Sequence, residues 1–247
     1  MNRRFGFASA LLVAGLVGGV TVAQGSPLTV TTTGIQSQTG SSLAASATFD
    51  VLGSQLIVTL DNTSTDDVRA PADILQAIYW NMAQNVTLSL VSATTSSECD
   101  FDTSPVSCGA GGTYSGNDLT GKYAYSASPT GIGSAGLNAF GGTQGMAWGI
   151  LSAGDNLNTY NGGMTRTQHN PFVKHQTQFT LDISKGNGAY SPSTVGDLGI
   201  TDVKFNYGTS AYALTASVPA PSTLALMPLA VGLMGWMKRR QRRSQHL

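Results

Sequence analysis

The chain has 247 residues, of which only 11% are charged, with thirteen basic and thirteen acidic side chains. Seven of the basic side chains lie in the first 25 and last 30 residues, so the stretch 26–217 keeps six of them against all thirteen acids, a net charge of about −7. Such a body is repelled by phosphates, which excludes nucleic acids as partners. Its abundance of Ser, Thr, Gly and Asn favours short strands over helices.

Residues 1–25 predict a secretory signal peptide. Arg3 and Arg4 precede an apolar stretch from Phe5 to Val22, which leads into small residues ending at Gly25. An uncleaved N-terminal anchor is the alternative, because glycines dilute the apolar stretch. The arginine pair lacks the polar surroundings of a twin-arginine signal, so we expect export by general secretion.

The next segment, 26–217, contains a succession of short apolar and β-branched runs that predict strands. These runs are 26–38, 43–49, 55–60, 86–91, 145–151, 178–183 and 200–207. Residues 71–81 mix helical spacing with strand-forming side chains, and we expect a strand there after a single helical turn at Asp73.

Strands at this spacing without long helices predict an all-β fold. We expect a single β-sandwich, of which a jelly roll is one form, that ends near Tyr212. Residues 213–217 would then be a linker to the C-terminal tail.

The two cysteines, Cys99 and Cys108, both lie in the segment expected to be exported. In an oxidising compartment we expect them to form a disulfide, which would stabilise the fold by roughly 2–3 kcal/mol for a loop of this size. A metal pair is the alternative, but without another cysteine or a nearby histidine it lacks the four ligands of a structural zinc site.

Carboxylates at 61–73 raise the question of a bound cation. Asp61, Asp66 and Asp67 are the candidates for Ca²⁺ ligands, with Asp73 close behind them, but their spacing lacks the glycine and glutamate positions of an EF-hand loop. Roles in turns and caps are the alternative. We therefore predict no metal or cofactor and retain these three aspartates as the Ca²⁺ candidates.

The sequence shows no arrangement of residues suited to catalysis. The contexts of Ser134 and Ser210 do not complete the Gly-x-Ser-x-Gly pattern of a nucleophile elbow. His169 and His175 have no third ligand nearby, which favours surface loops over a zinc site. No pair of carboxylates stands out for glycoside hydrolysis. We predict that the protein is not an enzyme and has no catalytic residues.

Two further patterns bear on glycans. Asn62 and Asn85 each begin an acceptor pattern for N-glycosylation. Several aromatic side chains could stack on sugars, although most such residues in a β-sandwich belong to its core. These are Tyr79, Trp80, Tyr123, Tyr125, Trp148 and Tyr160.

The last thirty residues have three parts. A proline-containing motif occupies 218–223, an uncharged run follows at 224–237, and a basic end closes the tail at 238–243. The fourteen-residue run would cover about 21 Å of a roughly 30 Å hydrocarbon core, a marginal span. The basic end would remain in the cytoplasm. A buried C-terminal helix is the alternative.

This order of parts resembles the PEP-CTERM sorting domain, which exosortases process in Gram-negative bacteria that make extracellular polysaccharide. The resemblance implies cleavage or transfer near the proline pair by a membrane enzyme of cysteine-protease type, with this chain as its substrate. The matching motif residues are Val218, Pro219, Ala220, Pro221 and Ser222. The matching basic residues are Lys238, Arg239, Arg240, Arg242 and Arg243. Ala220 replaces the central glutamate of the family and removes the only charge from the motif.

Four body segments also resemble, in the same order, a family of exosortase-dependent surface proteins of the XDD type. They are 60–64, 71–75, 131–136 and 205–210. The resemblance implies export and surface display, without an activity or ligand. We therefore expect a protein tethered to the membrane by its C-terminus and then displayed on the cell surface or in the extracellular matrix, with a structural or adhesive role. A secreted carbohydrate-binding module that contacts exopolysaccharide is the alternative.

Overall fold

The computed structural model describes residues 26–100, 107–109, 118–134, 140, 146–157, 171–209, 212–216 and 218. The expected signal peptide, the tail beyond Val218, Tyr160 and His169 lie outside these residues. Across the described residues, no helix is both long and apolar enough to cross a membrane.

The described chain consists of strands joined by turns, with short 3₁₀ helices at Pro71–Asp73 and Val195–Leu198. In chain order the strands are β1 (Leu28–Ile35), β2 (Ser42–Leu52), β3 (Gln55–Asn62), β4 (Leu75–Met82), β5 (Thr87–Thr94), β6 (Glu98–Asp100), β7 (Ser107–Gly109), β8 (Tyr123–Ala127), β9 (Thr130–Ser134), β10 (Ile150–Leu151), β11 (Phe172–Lys174), β12 (Gln176–Lys185), β13 (Gly188–Ala189), β14 (Ile200–Tyr207) and β15 (Tyr212–Ala216). The all-β class predicted from the sequence is confirmed.

These strands form two sheets. The first has the order β1-β2-β3-β12-β13, with β5 also paired to β12. The second has the order β15-β14-β4-β10-β11-β6-β7, and the β8–β9 hairpin joins it through β4. Among the described pairs only β10 and β11 run parallel. The sheets approach each other where β1 meets β15, and the hydroxyl of Thr32 donates to the carbonyl of Thr215 at 3.1 Å.

The larger hydrophobic core contains residues of both sheets, because alternate residues of strands such as β2 and β3 point inward. Phe49 of the first sheet meets Trp80 of the second edge to face, with ring centroids 5.5 Å apart. Tyr123 and Phe179 make a similar contact at 4.9 Å. Burial of each such side chain contributes about 1.5–3 kcal/mol, so these contacts supply much of the attraction between the sheets.

Two local expectations are confirmed. A helical turn at Pro71–Asp73 leads directly into β4, as the mixed pattern of residues 71–81 predicts. Cys99 and Cys108 form a disulfide and lie directly opposite each other on β6 and β7. The bond therefore joins the two strands of one hairpin, and the side chain of Cys99 is fully buried.

Two other local expectations from the sequence are wrong. Residues 213–217, expected to be a linker, lie largely within β15, because Leu214 and Ala216 point inward while Thr215 is exposed. The strand expected at 145–151 is reduced to Ile150–Leu151. Residues before it form a turn in which the amide of Gly149 donates to the carbonyl of Met146.

A buried amide joins the two sheets at one end. Asn62, at the end of β3, donates from Nδ2 to the carbonyl of Ile150 on β10 at 2.9 Å. Its Oδ1 accepts from the hydroxyl of Ser64 at 2.7 Å and lies 3.3 Å from the hydroxyl of Tyr207 on β14. The Tyr207 hydroxyl also donates to the carbonyl of Ala44 at 2.9 Å. Asn62 is completely buried, so the folded chain does not offer it as a glycosylation site.

We expect Asn62→Ala to lower the free energy of unfolding by at least about 2 kcal/mol, because it removes the buried donor to the Ile150 carbonyl and the acceptor of the Ser64 hydroxyl. Asn85→Ala is the matched control, since Asn85 begins the same kind of acceptor pattern but is exposed. Its effect should stay within about 0.5 kcal/mol. Urea unfolding of both variants checks this, and equal effects would contradict the proposed role of Asn62.

Candidate functional site

Three of the aromatic side chains considered for sugar stacking face the core. Trp80, Trp148 and Tyr123 are only 1%, 5% and 4% exposed. The hydroxyl of Tyr123 donates to the carbonyl of Trp148, and the ammonium of Lys122 lies 5.0 Å from the Trp148 ring. Of the two roles considered for these aromatics, core packing is therefore the one that these three residues have.

Tyr79 and Phe140 instead form an aromatic pair on the outer face of the second sheet. Their rings are 5.8 Å apart between centroids and inclined by only 21°. Both side chains are partly exposed. We call this pair the aromatic shelf.

Glycines of β9 make room for the shelf. Gly131 lies directly opposite Tyr79 in the sheet, and Gly133 lies two residues further along the same face. A Cβ at Gly131 would overlap the Tyr79 ring, and a Cβ at Gly133 would overlap the Phe140 ring. On this face β9 has no side chains at positions 131 and 133, so the two rings lie close to its backbone.

Polar side chains border the shelf on the same face. Lys204 on β14 and Gly131 on β9 are the cross-strand partners of Tyr79, and the next residues outward in this row are Thr215 and Ser126. Directly opposite residues share a face, so Lys204 lies beside Tyr79, and Ser126 lies beyond Gly131 on the other side. Lys204 and Thr215 are exposed.

A polar pair adds to this border. Asn81, two residues beyond Tyr79 on the same face of β4, donates from Nδ2 to a carboxylate oxygen of Asp202 at 2.9 Å. Both residues are exposed. Partial burial raises the pKa of Tyr79, so its hydroxyl is neutral at physiological pH and both donates and accepts hydrogen bonds. The shelf thus combines flat apolar area with amide, hydroxyl, ammonium and carboxylate groups.

The three Ca²⁺ candidates have separate hydrogen-bonding roles. Asp61 accepts from the side-chain amide of Gln176 at 2.6 Å across β3 and β12. Asp66 accepts from the backbone amide of Ser42 at 2.7 Å, and Asp67 from that of Asn156 at 3.0 Å. No group of three potential metal-ligating side chains occurs within the part of the chain that the structure describes.

Asp155, which the sequence did not single out, lies beside Asp67. Its side chain is only 7% exposed and accepts from the amide of Val68 at 2.9 Å. Burial, together with a smaller effect of the Asp67 carboxyl, raises the pKa of Asp155 to about 6, against opposing effects of the Val68 amide and Lys174. The two aspartates join the loop after β3 to the loop after β10.

The remaining candidates offer little for binding. His175 is exposed and has a left-handed backbone (φ 76°), and its amide and carbonyl bond to Leu151 and Asn62. An open depression of about 470 Å³ lies beside the turn between β12 and β13. Its polar lining residues are Ser54, Ser89, Asp182, Ser184 and Asn187, and its described lining contains no aromatic ring.

Of the five motif residues expected to direct sorting, Val218 alone lies within the described residues. It is partly buried and packs against the core just beyond β15. Pro219, Ala220, Pro221, Ser222 and the basic end lie outside them. Comparison with protein-family models, with curated proteins and with solved structures found no match to this chain.

Sequence reasoning included Tyr79 among the candidates but missed Phe140. The available signal was the spacing of Gly131 and Gly133, because glycines at alternate strand positions mark a face that other groups approach closely. Their pairing with β4, more than fifty residues earlier, is a long-range contact that local patterns do not show.

We expect the stability of the protein to fall as the pH rises from about 4 to 6. Asp155 binds its proton more tightly in the folded chain than in the unfolded chain, whose aspartates have a pKa near 3.9, so the folded state holds a proton that the unfolded state has lost in this window. Asp155→Asn keeps an oxygen for the Val68 amide and should reduce this fall by about 1–2 kcal/mol. Asp67→Asn should reduce this pH-dependent loss of stability by a smaller amount.

Urea unfolding at pH 4, 5, 6 and 7 measures the effect. If Asp155→Asn showed the same pH dependence as the unaltered protein, the role assigned to this carboxyl would be wrong.

Proposed function

We propose that this chain is an exported, non-enzymatic surface protein that an exosortase sorts through its C-terminal tail. Its body, which we interpret as a β-sandwich, performs a structural or adhesive role at the cell surface or in the polysaccharide matrix of a Gram-negative bacterium. The tail holds the protein in the membrane until it is processed.

The observation that carries this proposal is the order of parts in the last thirty residues. A proline-containing motif, an uncharged run and a basic cluster follow one another without interruption from 218 to 243. Each part alone is common, but together they match the requirements of a segment that pauses in a bilayer with its basic end in the cytoplasm.

The body is consistent with export. Its disulfide is of a kind that persists in oxidising compartments. Since β15, the last described strand before the motif, ends at Ala216, Ser217 alone separates it from the motif that begins at Val218. An enzyme acting at the proline pair would therefore work within a few residues of the folded domain.

A secreted carbohydrate-binding module is the second candidate. It is favoured by the aromatic shelf, because partly exposed rings with a polar border are what a binding site for sugars requires. The two proposals are compatible, since a protein sorted to the matrix performs an adhesive role by binding matrix polymer.

Truncation after Val218 tests the sorting proposal and keeps every strand that the structure describes. We expect the full chain to be found in the envelope and matrix fractions, whereas residues 1–218 are found in the periplasm with the disulfide formed. Replacement of the five basic residues of the tail by Gln should also reduce surface display, because the stop in the membrane depends on their charge.

Lys185→Gln is the control for loss of positive charge, since Lys185 is exposed on the body. Immunoblots of the fractions and protease shaving of intact cells provide the readout. An identical distribution of the truncated and full chains would contradict the proposed function.

A further inference from the structure

Several surfaces of the described molecule offer polar groups, and the aromatic shelf combines them with two neighbouring, partly exposed rings. The outer face of the first sheet carries rows of hydroxyls, such as Thr29, Thr48 and Thr59 on neighbouring strands, without an aromatic ring among them. Hydroxyls of this kind are common on the solvent side of a sheet. The shelf is the feature that distinguishes the outer face of the second sheet.

We propose that the aromatic shelf of Tyr79 and Phe140 binds a neutral polysaccharide. This inference rests on the proposed surface role and identifies the chemical class that the body contacts there. A sugar ring presents C–H groups on one face and hydroxyls around its rim, so it needs a flat apolar surface bordered by donors and acceptors.

The geometry meets both requirements. The rings are stacked, with an inclination of 21° and centroids 5.8 Å apart, and both keep part of their aromatic surface in solvent. Because Gly131 and Gly133 carry no side chains, nothing from β9 rises between the rings and the sheet. Lys204 lies directly opposite Tyr79 on one side, and on the other side Ser126 lies beyond Gly131, two strands away in the same row.

The net charge of the body favours binding of a neutral polymer over binding of a polyanion. The segment 26–217 carries about −7, which repels polyanionic chains over distances of roughly 8–10 Å at moderate ionic strength. At the shelf itself, Lys204 contributes one positive charge and Asp202 one negative charge. The local border is therefore close to neutral and suited to hydroxyl groups.

The pair is more than a cover for the glycines. A ring that only fills space stabilises the fold most when it is fully buried. Trp80, one residue further along β4, is buried in this way. Both rings of the shelf keep part of their surface in solvent instead, and the exposed Lys204, Thr215 and Asn81 lie on the same face.

The test uses the full chain recovered from the envelope, with retention on cellulose, starch and dextran gels as the measurement and alginate as the polyanionic probe. We expect retention on at least one neutral glucan and none on alginate. Phe140→Leu and Tyr79→Leu keep an apolar cover over the glycines but remove the flat rings, so they should weaken retention by about tenfold or more with the melting temperature little changed.

Tyr190→Leu is the matched control. Tyr190 is also partly buried and has a lysine, Lys185, 5.3 Å from its ring, but it follows β13 of the other sheet. This variant should bind as the unaltered protein does. Lys204→Gln should reduce retention less than the ring substitutions do.

The proposal would be overturned if folded shelf variants kept full retention, if Tyr190→Leu weakened binding equally, or if the unaltered protein bound none of the three neutral glucans. Association of the protein only with itself, seen by light scattering and abolished in Phe140→Leu, would also overturn it. Failure of binding is separate from failure of sorting, because binding is measured on purified protein and sorting by fractionation of cells.

Discussion

The position of the two sheets relative to each other depends on the buried amide of Asn62. Hydrophobic packing attracts the sheets without fixing one register, since many inward-facing side chains can be exchanged at similar energy. A buried amide is different, because it is costly unless each of its groups has a partner in the right place. The bonds from Asn62 to Ile150, and its contact with Tyr207, are satisfied only in one arrangement of β3 against β10 and β14.

That arrangement decides what faces the solvent on the second sheet. With Tyr207 held against the end of the first sheet, β14 and its partner β4 present Ile78 and Trp80 to the core and Tyr79 to the outside. A shift of one residue in β4 would reverse these faces. The aromatic shelf is therefore a consequence of the register that the interior network fixes.

The sequence was informative wherever burial alternates along a single strand. The strands at 55–62, 176–185 and 200–207 each bury alternate residues on at least part of their length, and their patterns identified them correctly. The same rule, applied to 213–217, would have found β15, but the short segment beside the tail was interpreted as a linker. At 145–151 the apolar run predicted a strand, whereas Trp148 takes a left-handed backbone in a turn.

The candidate site was less accessible to sequence reasoning for a physical reason. Tyr79 and Trp80 are adjacent aromatic residues, and only the pairing of β4 with β9 and β14 determines which of them reaches the surface. Phe140 meets Tyr79, and Asp155 meets Asp67, across long separations in the chain. Such contacts depend on the whole fold, so local sequence patterns do not show which residues meet.

The central claim is that the tail directs sorting and is then removed. The most direct measurement is the intact mass and C-terminal peptide of the protein recovered from the native cell surface and matrix, beside the same protein from an exosortase-deficient strain. The account predicts an end between Val218 and Ser222 in the parent strain and a retained tail in the deficient strain. A retained tail in both strains would contradict it and would make the protein a simple membrane-tethered one.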